Sequence, residues 1–549
     1  MKFLAFKWFQ RNSFVVFVLV ILFYPWIIQK SLEIPPKAIQ QSKLSKFNIS
    51  NKINQATDDL ENVLSITHHD PVTAQAGLTI FGLWRVSNPT VEHFIESMIV
   101  ITDMKGNIKS IQQFPMETGG GGLVWDPEFI NSTTFVYILS PNNLQLYNIH
   151  TKNTEVLPIS PGHHDVEYNP ITDTFLTVYF THYGYYLDKP LLFDDIYEHD
   201  RNGNVVWFWN SSIHIPFNET EFTNESAFER FQWTHANTIF WDIEEQAIYY
   251  NCRHLDTFYK INYPSGEILW AAGRLGNLKM FDKQGNEKKS LFYHSHAVEV
   301  IGPNQYIIFD NDYFNITREN PRESAGISRM IEVVVNEETM TMNETWSWLA
   351  PTDYFGEVWG DADRLPNGNR LGTFGVPNHP AYITEVDSQD NIVWELALEQ
   401  GKWDYLGIYN ADRFFEAPLV KVDQTDFTLA SDEDLILQVR IWDTFNTRIT
   451  RKGSLTIEEK NEVLESVDFE FLPHWQETRI NVSIPSLRNI SRILNLIITN
   501  EDGLSTNIPI IINGGKSEVT PFEITPIVIG FLCIASIRVI RTKRKSKKR

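Results

Sequence analysis

Along most of the chain, apolar residues come in short runs broken by Asn, Asp, Gly and Pro, with polar residues alternating inside many of them. Runs of that length predict strands joined by tight turns rather than helices. Four segments line up: "HDVEYNPITDTFLTVYF" from His164, "HANTIFWDIEEQAIYYN" from His235, "HAVEVIGPNQYIIFDND" from His296 and "DADRLPNGNRLGTFG" from Asp361. They open 71, 61 and 65 residues apart. Each starts with a polar residue, runs as a strand, turns (Asn169-Pro170, Glu244-Glu245, Pro303-Asn304, Pro366-Asn367-Gly368) and returns as a second apolar strand. "GGLVWDPEFINSTTFVYIL" from Gly121 is a degenerate earlier copy. A second phrase recurs between them: "DMKGNI" at 103, "DRNGNVVWFW" at 200, "YPSGEILWAAG" at 263 and "DSQDNIVWEL" at 387. It reads as a hairpin turn feeding a strand that carries Trp207, Trp270 or Trp394.

Two hairpins per unit make four strands per unit, which is a propeller blade rather than a helical repeat. The rival is a β-sandwich with coincidental turns. From Ile80 to about Lys421 the spacing leaves room for six blades. Beyond it, "LILQVRIWD", "VDFEFLP", "TRINVSIP" and "ILNLIITN" have the spacing of a sandwich, and "SLTIEEKNEVLES" reads as a helical patch among them. The expected fold class is therefore all-β: a six-bladed β-propeller followed by an immunoglobulin-like β-sandwich, with a hydrophobic segment at each terminus. The expected bounds are a basic end and signal anchor or signal peptide at 1–29, a stalk at 30–66 and the propeller at 67–421. The sandwich then takes 424–513, a transmembrane segment 522–540 and a basic tail 541–549.

Charge sharpens this division. Lys2, Lys7 and Arg11 precede an uncharged run from Asn12 to Gln29, and a shorter apolar run from Ile524 to Ile537 precedes a basic tail. Positive flanks at both ends predict ends inside, bulk outside, and a place in the cell membrane with most of the chain extracytoplasmic. The chain carries −22 in all, and without the three and eight basic residues of its two ends the middle stands near −33. Such a surface excludes nucleic acid as a partner. Two cysteines, Cys252 and Cys533, cannot form a disulfide scaffold. Nine Asn-x-Ser/Thr sites, the first at Asn48 and the last at Asn489, agree with export and glycosylation.

In a propeller, equivalent positions of successive blades surround one channel. His164, His235 and His296 share the opening slot, so they are expected to meet there, whereas His294 lies outside it. Most single histidines are core or turn residues, but three of 15 in one slot of a repeat are less easily dismissed. Asn237 follows His235 by two on the same strand face, and Arg253 lies one hairpin later. A guanidinium among imidazoles suits a tetrahedral oxyanion such as sulfate or phosphate. Zinc on the three histidines is the rival, disfavoured by the repulsion between Arg253 and a dication.

"GHHDVEYNP", "WTHANTIFW", "RHLDTFYKI" and "HSHAVEV…FDND" together resemble the arylsulfate sulfotransferase family, as do "RLPNGNRLGTFG" and "YNADRFFE". The likeness spans about residues 67–420. It implies a six-bladed propeller that moves a sulfuryl group from an aryl sulfate donor to a phenolic acceptor, without cofactor or metal. By position, His296 is similar to the family's transiently sulfated nucleophile, and His164, His235 and Arg253 to its other catalytic residues. Asn237 falls on a polar neighbour of that site, and it and Asp361 are expected to touch substrate.

The chain departs from the family pattern in three respects: its fifth opening is Asp361, no internal disulfide is possible with Cys252 and Cys533 alone, and its accessory sandwich follows the propeller. Asp361 could orient a histidine, clamp a cation or sit in a solvated turn. Fold does not dictate chemistry. A non-catalytic surface propeller that binds an anionic ligand or a partner protein stands as the alternative, and hydrolysis stands beside transfer.

Overall fold

The computed structural model describes residues 60–514, apart from 61, 87–93, 116–122, 141–142, 161, 223–225, 228–229, 313–325, 376–379, 400–404, 430–433 and 485–490, together with 539–540. The described residues are nearly all β. Between residues 64 and 414 they form six mainly antiparallel sheets, two of which add an outer strand in parallel. The sheets begin with strands Leu78–Val86, Leu123–Asn131, Val166–Asn169, Ala236–Asp242, His296–Gly302 and Asp361–Arg364. In five of them that first strand is the inner edge, and it packs against the inner strand of the next sheet.

The remaining sheet closes the array. Its inner strand, Tyr405–Phe414, arrives from the far end of the segment and pairs with Leu78–Val86, so that Leu78 faces Phe414 and Val86 faces Tyr405. Strand Leu64–His69 makes a second closure on the outer edge of the sixth sheet, pairing with Ile392–Leu398. Sheets packed face to face around an axis, with chain ends zipped into their neighbours, are β-propeller architecture.

The recurring Asp and Trp phrase explains how neighbouring sheets are held. Asp103, Asp200, Asp282 and Asp387 each accept two backbone N–H groups of their own turn through Oδ1. The tryptophans beyond such turns reach across to the next sheet. Trp207 and Trp209 donate Nε1–H to the carbonyls of Pro264 and Gly266, at 2.8 and 2.9 Å. Trp270 donates to Glu337 at 2.8 Å, and Trp346 and Trp348 to the side chain and carbonyl of Asp390 at 3.0 and 3.2 Å. Trp394 completes the set on the Met104 carbonyl at 2.9 Å. Each indole buries its rings between sheets and satisfies its one donor there.

Residues 419–514, joined by Val539–Ile540 paired to Thr478–Ile484, form two further sheets around a shared core of Leu437, Val439, Leu455, Ile457, Val482 and Ile498 with their neighbours. The last two residues of the segment expected to cross the membrane are thus a strand of this module. The helical patch expected at 454–466 is instead a hairpin, Arg451–Glu459 and Glu462–Phe471, turning at Lys460 and Asn461 with φ of 53° and 68°. Leu455 and Ile457, two apart, enter the core, and that period of two overrides the helix propensity of Glu and Lys.

This module plugs the far end of the propeller channel. Arg448 is buried there, with Nε and Nη2 at 3.1 Å from the two carboxylate oxygens of Glu167, and its guanidinium 4.1 Å from the Phe240 ring centre. Glu128 stands 3.5 Å away. Ser132 and Glu244 of the propeller bond to Asp502 and Thr450 around the rim.

The N-terminal basic end and anchor (1–29), the expected stalk up to residue 59, the basic tail (541–549) and the C-terminal apolar run up to residue 538 lie outside the described residues. The end of the stalk expected to reach residue 66 instead belongs to the propeller, with Leu60 and Val63 in its core and Leu64 opening a strand of the sixth sheet. Among the described residues no helix is long and apolar enough to cross a membrane. Removing one partner of a buried ion pair leaves the other charge uncompensated, so Arg448→Met is expected to cost about 3 kcal/mol. A fall of several degrees in thermal midpoint checks it, and an unchanged midpoint would show the plug to be dispensable.

Candidate active site

Four of the six inner strands enter the channel just after a residue in the left-handed region: His164, His235, His294 and Trp359 have φ of 67°, 44°, 55° and 61°. Asp126, with φ of 36°, sits instead at a bulge inside Leu123–Asn131. None is glycine, so each position carries backbone strain held by its surroundings. The turns aim His164, His235 and His296 at one space. The His164 and His235 ring centres lie 5.2 Å apart, and both His164 and His296 line the mouth of the channel cavity. Arg253 opens the short 3-10 turn Arg253–Leu255, pinned to the neighbouring turn by Arg253 N–H to the His235 carbonyl at 3.1 Å and His254 N–H to the Thr234 carbonyl at 3.3 Å. The Arg253 guanidinium lies near enough to act electrostatically on both His164 and His296, and it donates to the Glu357 carbonyl at 3.0 Å.

Most of the rings are fixed through Nδ1. His296 Nδ1 lies 2.6 Å from Asn311 Oδ1, while the Asn311 amide donates to the carbonyls of Gly356 (2.9 Å) and Trp359 (2.7 Å). Because that amide nitrogen is already engaged, Asn311 can only accept from His296, which places the His296 proton on Nδ1 and leaves a lone pair on Nε2. His235 Nδ1 meets the Gln232 side chain, and His254 Nδ1 meets the Gln232 carbonyl at 2.9 Å. His294 Nδ1 meets Asp256 at 2.9 Å. His164 Nδ1 lies 2.5 Å from Nδ1 of His163, so one of the two carries the shared proton.

Electrostatics keep the central imidazoles neutral. Burial and then Arg253 push His296 down to about 3. Burial, followed by the charges His163, His296 and Arg253 would present, holds His164 well below the usual histidine range. Asp256 runs the other way: burial favours its neutral form, yet His294 and Arg274 hold it below the usual carboxylate value.

An aromatic wall adjoins the imidazoles. Trp125 lies 4.5 Å from both His164 and Trp84, and Tyr409 lies 5.0 Å from Trp125 and 6.4 Å from His296. Trp359 stands 4.8 Å from Trp84. Trp125 and Trp359 are only half-buried, so a flat apolar group can reach them.

The sequence placed His164, His235, His296 and Arg253 together, and the geometry has them together. Asn237 lines the same cavity, but its amide is spent on the Ser295 carbonyl (2.8 Å) and its oxygen accepts from Asn251 (2.7 Å). Asp361 is buried rather than in a solvated turn. It accepts from the Ala411 and Ala362 N–H groups and lies lower in the channel than the histidines, among other carboxylates. Sequence reasoning missed Asn311, although it stands in the quoted "FDND", and it set His294 aside. His294 is 1% exposed and buttresses the turn that precedes His296. Its signal was the pairing with Asp256, which is invisible without the fold. The tryptophans of the wall carry no repeat signal.

Buried neutral imidazoles beside a guanidinium have the chemistry to hold a tetrahedral oxyanion. Residues 135–409 match the family model described as Arylsulfotransferase (ASST), and the chain belongs to that family. Membership supports sulfotransfer activity in general. No curated protein matches the chain. Among solved structures it is similar to the Neurospora crassa Pan2 WD40 domain, with 8% identity over 62% of this chain and 90% of that one and a TM-score of 0.28. It is also similar to a putative 6-phosphogluconolactonase from Bacteroides fragilis, with 10% identity over 75% and 99% and a TM-score of 0.30. The periplasmic gluconolactonase PpgL of Pseudomonas aeruginosa gives 7% identity over 73% and 99%, again at 0.30.

The depressed histidines make stability depend on pH. Between about pH 6.5 and 3 the unfolded chain binds protons that native His296 and His164 refuse, so stability is lost as pH falls through that window. Chemical denaturation at pH 7 and pH 5 should show a smaller acid-induced loss for the His164→Asn, His296→Asn double variant than for the native chain. An identical loss in both would contradict the buried, neutral state.

Proposed function

We propose that the chain is an arylsulfate sulfotransferase acting through a sulfohistidine at His296. The observation that carries this reading is the neutral His296, with its Nδ1 proton committed to Asn311 and its Nε2 lone pair beside Arg253 and His164. In the first half-reaction Nε2 attacks the sulfur of an aryl sulfate, an N–S bond forms, and the S–O bond to the aryl group breaks. Sulfuryl transfer resembles phosphoryl transfer, with a loose transition state whose charge spreads over the equatorial oxygens. Arg253 meets that charge. Because His164 is held neutral, His235 hands a proton to the departing phenolate, and it takes one from the acceptor phenol in the second half-reaction. The acceptor oxygen then forms its bond to sulfur as the N–S bond breaks, restoring neutral His296. Trp125, Trp359 and Tyr409 offer the aryl ring a stacking surface.

The architecture proposed with it is six blades, one per sheet, followed by an immunoglobulin-like module. The terminal run 1–29 anchors an extracytoplasmic enzyme in the cell membrane, an arrangement supported by its basic flank.

The test is incubation of the purified chain with a chromogenic aryl sulfate and a phenol. Phenolate release that requires the phenol, is lost in His296→Asn and is accompanied by a mass gain of one sulfuryl group on His296 is the expected result. Unchanged donor, with His296→Asn still binding the same anion, would make the protein a binder, and product without any phenol would make it a hydrolase. Arg253→Ala should lower kcat by about 10²-fold or more. Trp125→Leu should instead raise KM for aryl donors roughly tenfold with kcat changed less, since stacking acts on ground and transition states alike. Equal falls in kcat for both variants would remove Trp125 from substrate binding.

A further inference from the structure

His164 is backed by a second imidazole and a buried carboxylate that the sulfotransfer reading leaves unused. His163 Nδ1 lies 2.5 Å from His164 Nδ1, and His163 Nε2 lies 3.2 Å from Oδ1 of Asp194. All three residues are buried. Neither His163 Nε2 nor Asp194 Oδ1 has an aligned hydrogen bond among the described residues, so each depends on the other's charge. The Phe180 ring stacks on His163 at 3.7 Å, and the His163 backbone N–H donates to the Val178 carbonyl at 3.0 Å, which clamps the imidazole in place. Gly162 permits that approach, since a Cβ there would lie 2.5 Å from the Val178 oxygen.

The proton positions follow from Asp194. Its Oδ2 accepts from the Ala236 N–H at 2.9 Å and from the Thr234 hydroxyl, which fixes the rotation of the carboxylate. Oδ1 is an acceptor as well, and it would repel a lone pair on His163 Nε2. The His163 proton therefore sits on Nε2, and His163 Nδ1 keeps its lone pair. His164 must then carry its own proton on Nδ1, between the two rings, which leaves His164 Nε2 bare. Setting an imidazole tautomer is what the aspartate does in a Ser-His-Asp triad. Here the setting passes through one further ring.

We propose that Asp194 and His163 are positioning residues that hold His164 with a bare Nε2, and that this lone pair turns the sulfuryl end of an aryl sulfate away from His164 and onto Arg253. Sulfate oxygens only accept hydrogen bonds, so a bare nitrogen repels them, whereas a guanidinium gathers them. Trp125, 4.5 Å from His164, takes the aryl ring on that side. The donor is thereby oriented, ring toward Trp125 and sulfur toward His296, while His235 moves the proton. The orientation of the donor rests on the sulfotransfer reading; the tautomer of His164 does not.

Asp194→Asn tests both halves. Its amide oxygen has to take the Ala236 N–H and the Thr234 hydroxyl, so its NH2 group faces His163 and donates to Nε2. The His163 proton then moves to Nδ1, and His164 is left with its proton on Nε2. In the purified full-length chain, histidine side-chain nitrogen NMR, assigned through His164→Asn, should show His164 Nε2 bare in the native protein and protonated in Asp194→Asn. Inorganic sulfate should bind the variant about tenfold more tightly, because His164 can now donate to the anion. With an aryl sulfate and a phenol, kcat and KM should both fall, since the donor is held in an unproductive orientation. A merely structural Asp194 would lower the thermal midpoint and leave the tautomer unmoved. A native His164 already protonated at Nε2, or a spectrum that Asp194→Asn leaves unchanged, would overturn the proposal. An inverted tautomer without tighter sulfate binding would overturn the orienting role. Neither of these two readouts needs turnover, so a chain that transfers no sulfuryl group loses the sulfotransfer reading and still decides the tautomer. Should Asp194→Asn fail to fold, His163→Leu removes the acceptor of the His164 Nδ1 proton and should shift that proton toward Nε2; a His164 spectrum identical to the native one would again overturn the proposal.

Discussion

The inner strand of every sheet turns alternate side chains toward a single axis, and the space around that axis is too narrow for bulk water. Whatever polar group stands there must find its partner in the protein or in a ligand. At the open end this constraint makes imidazoles neutral: His296 and His164 gain nothing from protonation in a dry site beside Arg253. At the plugged end it makes carboxylates reluctant to ionise, and burial pushes Asp165 and Glu167 up to about 7. One axis thus holds neutral imidazoles beside a guanidinium at one end and carboxylates that resist ionisation at the other.

Rigidity of that axis depends on features far from it. Outer tryptophans fasten four of the six sheets to the turn of the next, and Tyr405–Phe414 closes the array from the inside while Leu64–His69 closes it from the outside. The C-terminal module is part of the same device. Arg448 is a residue of the sandwich, yet its charge is spent inside the propeller, where it neutralises Glu167 and partly Glu128. Positioning within fractions of an ångström matters most for chemistry that relies on orientation and charge rather than on a cofactor. Asn311 shows the same economy: one side chain sets the tautomer of His296 and anchors the loop that carries Trp359.

Much of the site was legible because a repeat converts sequence spacing into spatial equivalence. Residues that share the opening slot must face the same channel, so His164, His235 and His296 could be grouped without coordinates. Arg253 followed from its place one hairpin after His235. Where no repeat signal exists, the sequence was silent. Asn311 stands at a strand end, Trp84 and Tyr409 fill a wall assembled from sheets distant in the chain, and His294 is read correctly only beside Asp256. The hairpin at 451–471 shows the reverse failure, in which local propensity for helix yields to the burial of Leu455 and Ile457.

By itself, then, the sequence determined the all-β class, the recurring units, their Asp and Trp punctuation and the set of residues that share a slot, since all of these depend on order and period along the chain. Tertiary structure alone decided which nitrogen of His296 is bare, where Arg448 inserts and that Glu299, Asp361 and Asp363 converge. Those outcomes depend on distances and burial between strands far apart in the chain, and no local pattern encodes the dielectric of the space they come to share.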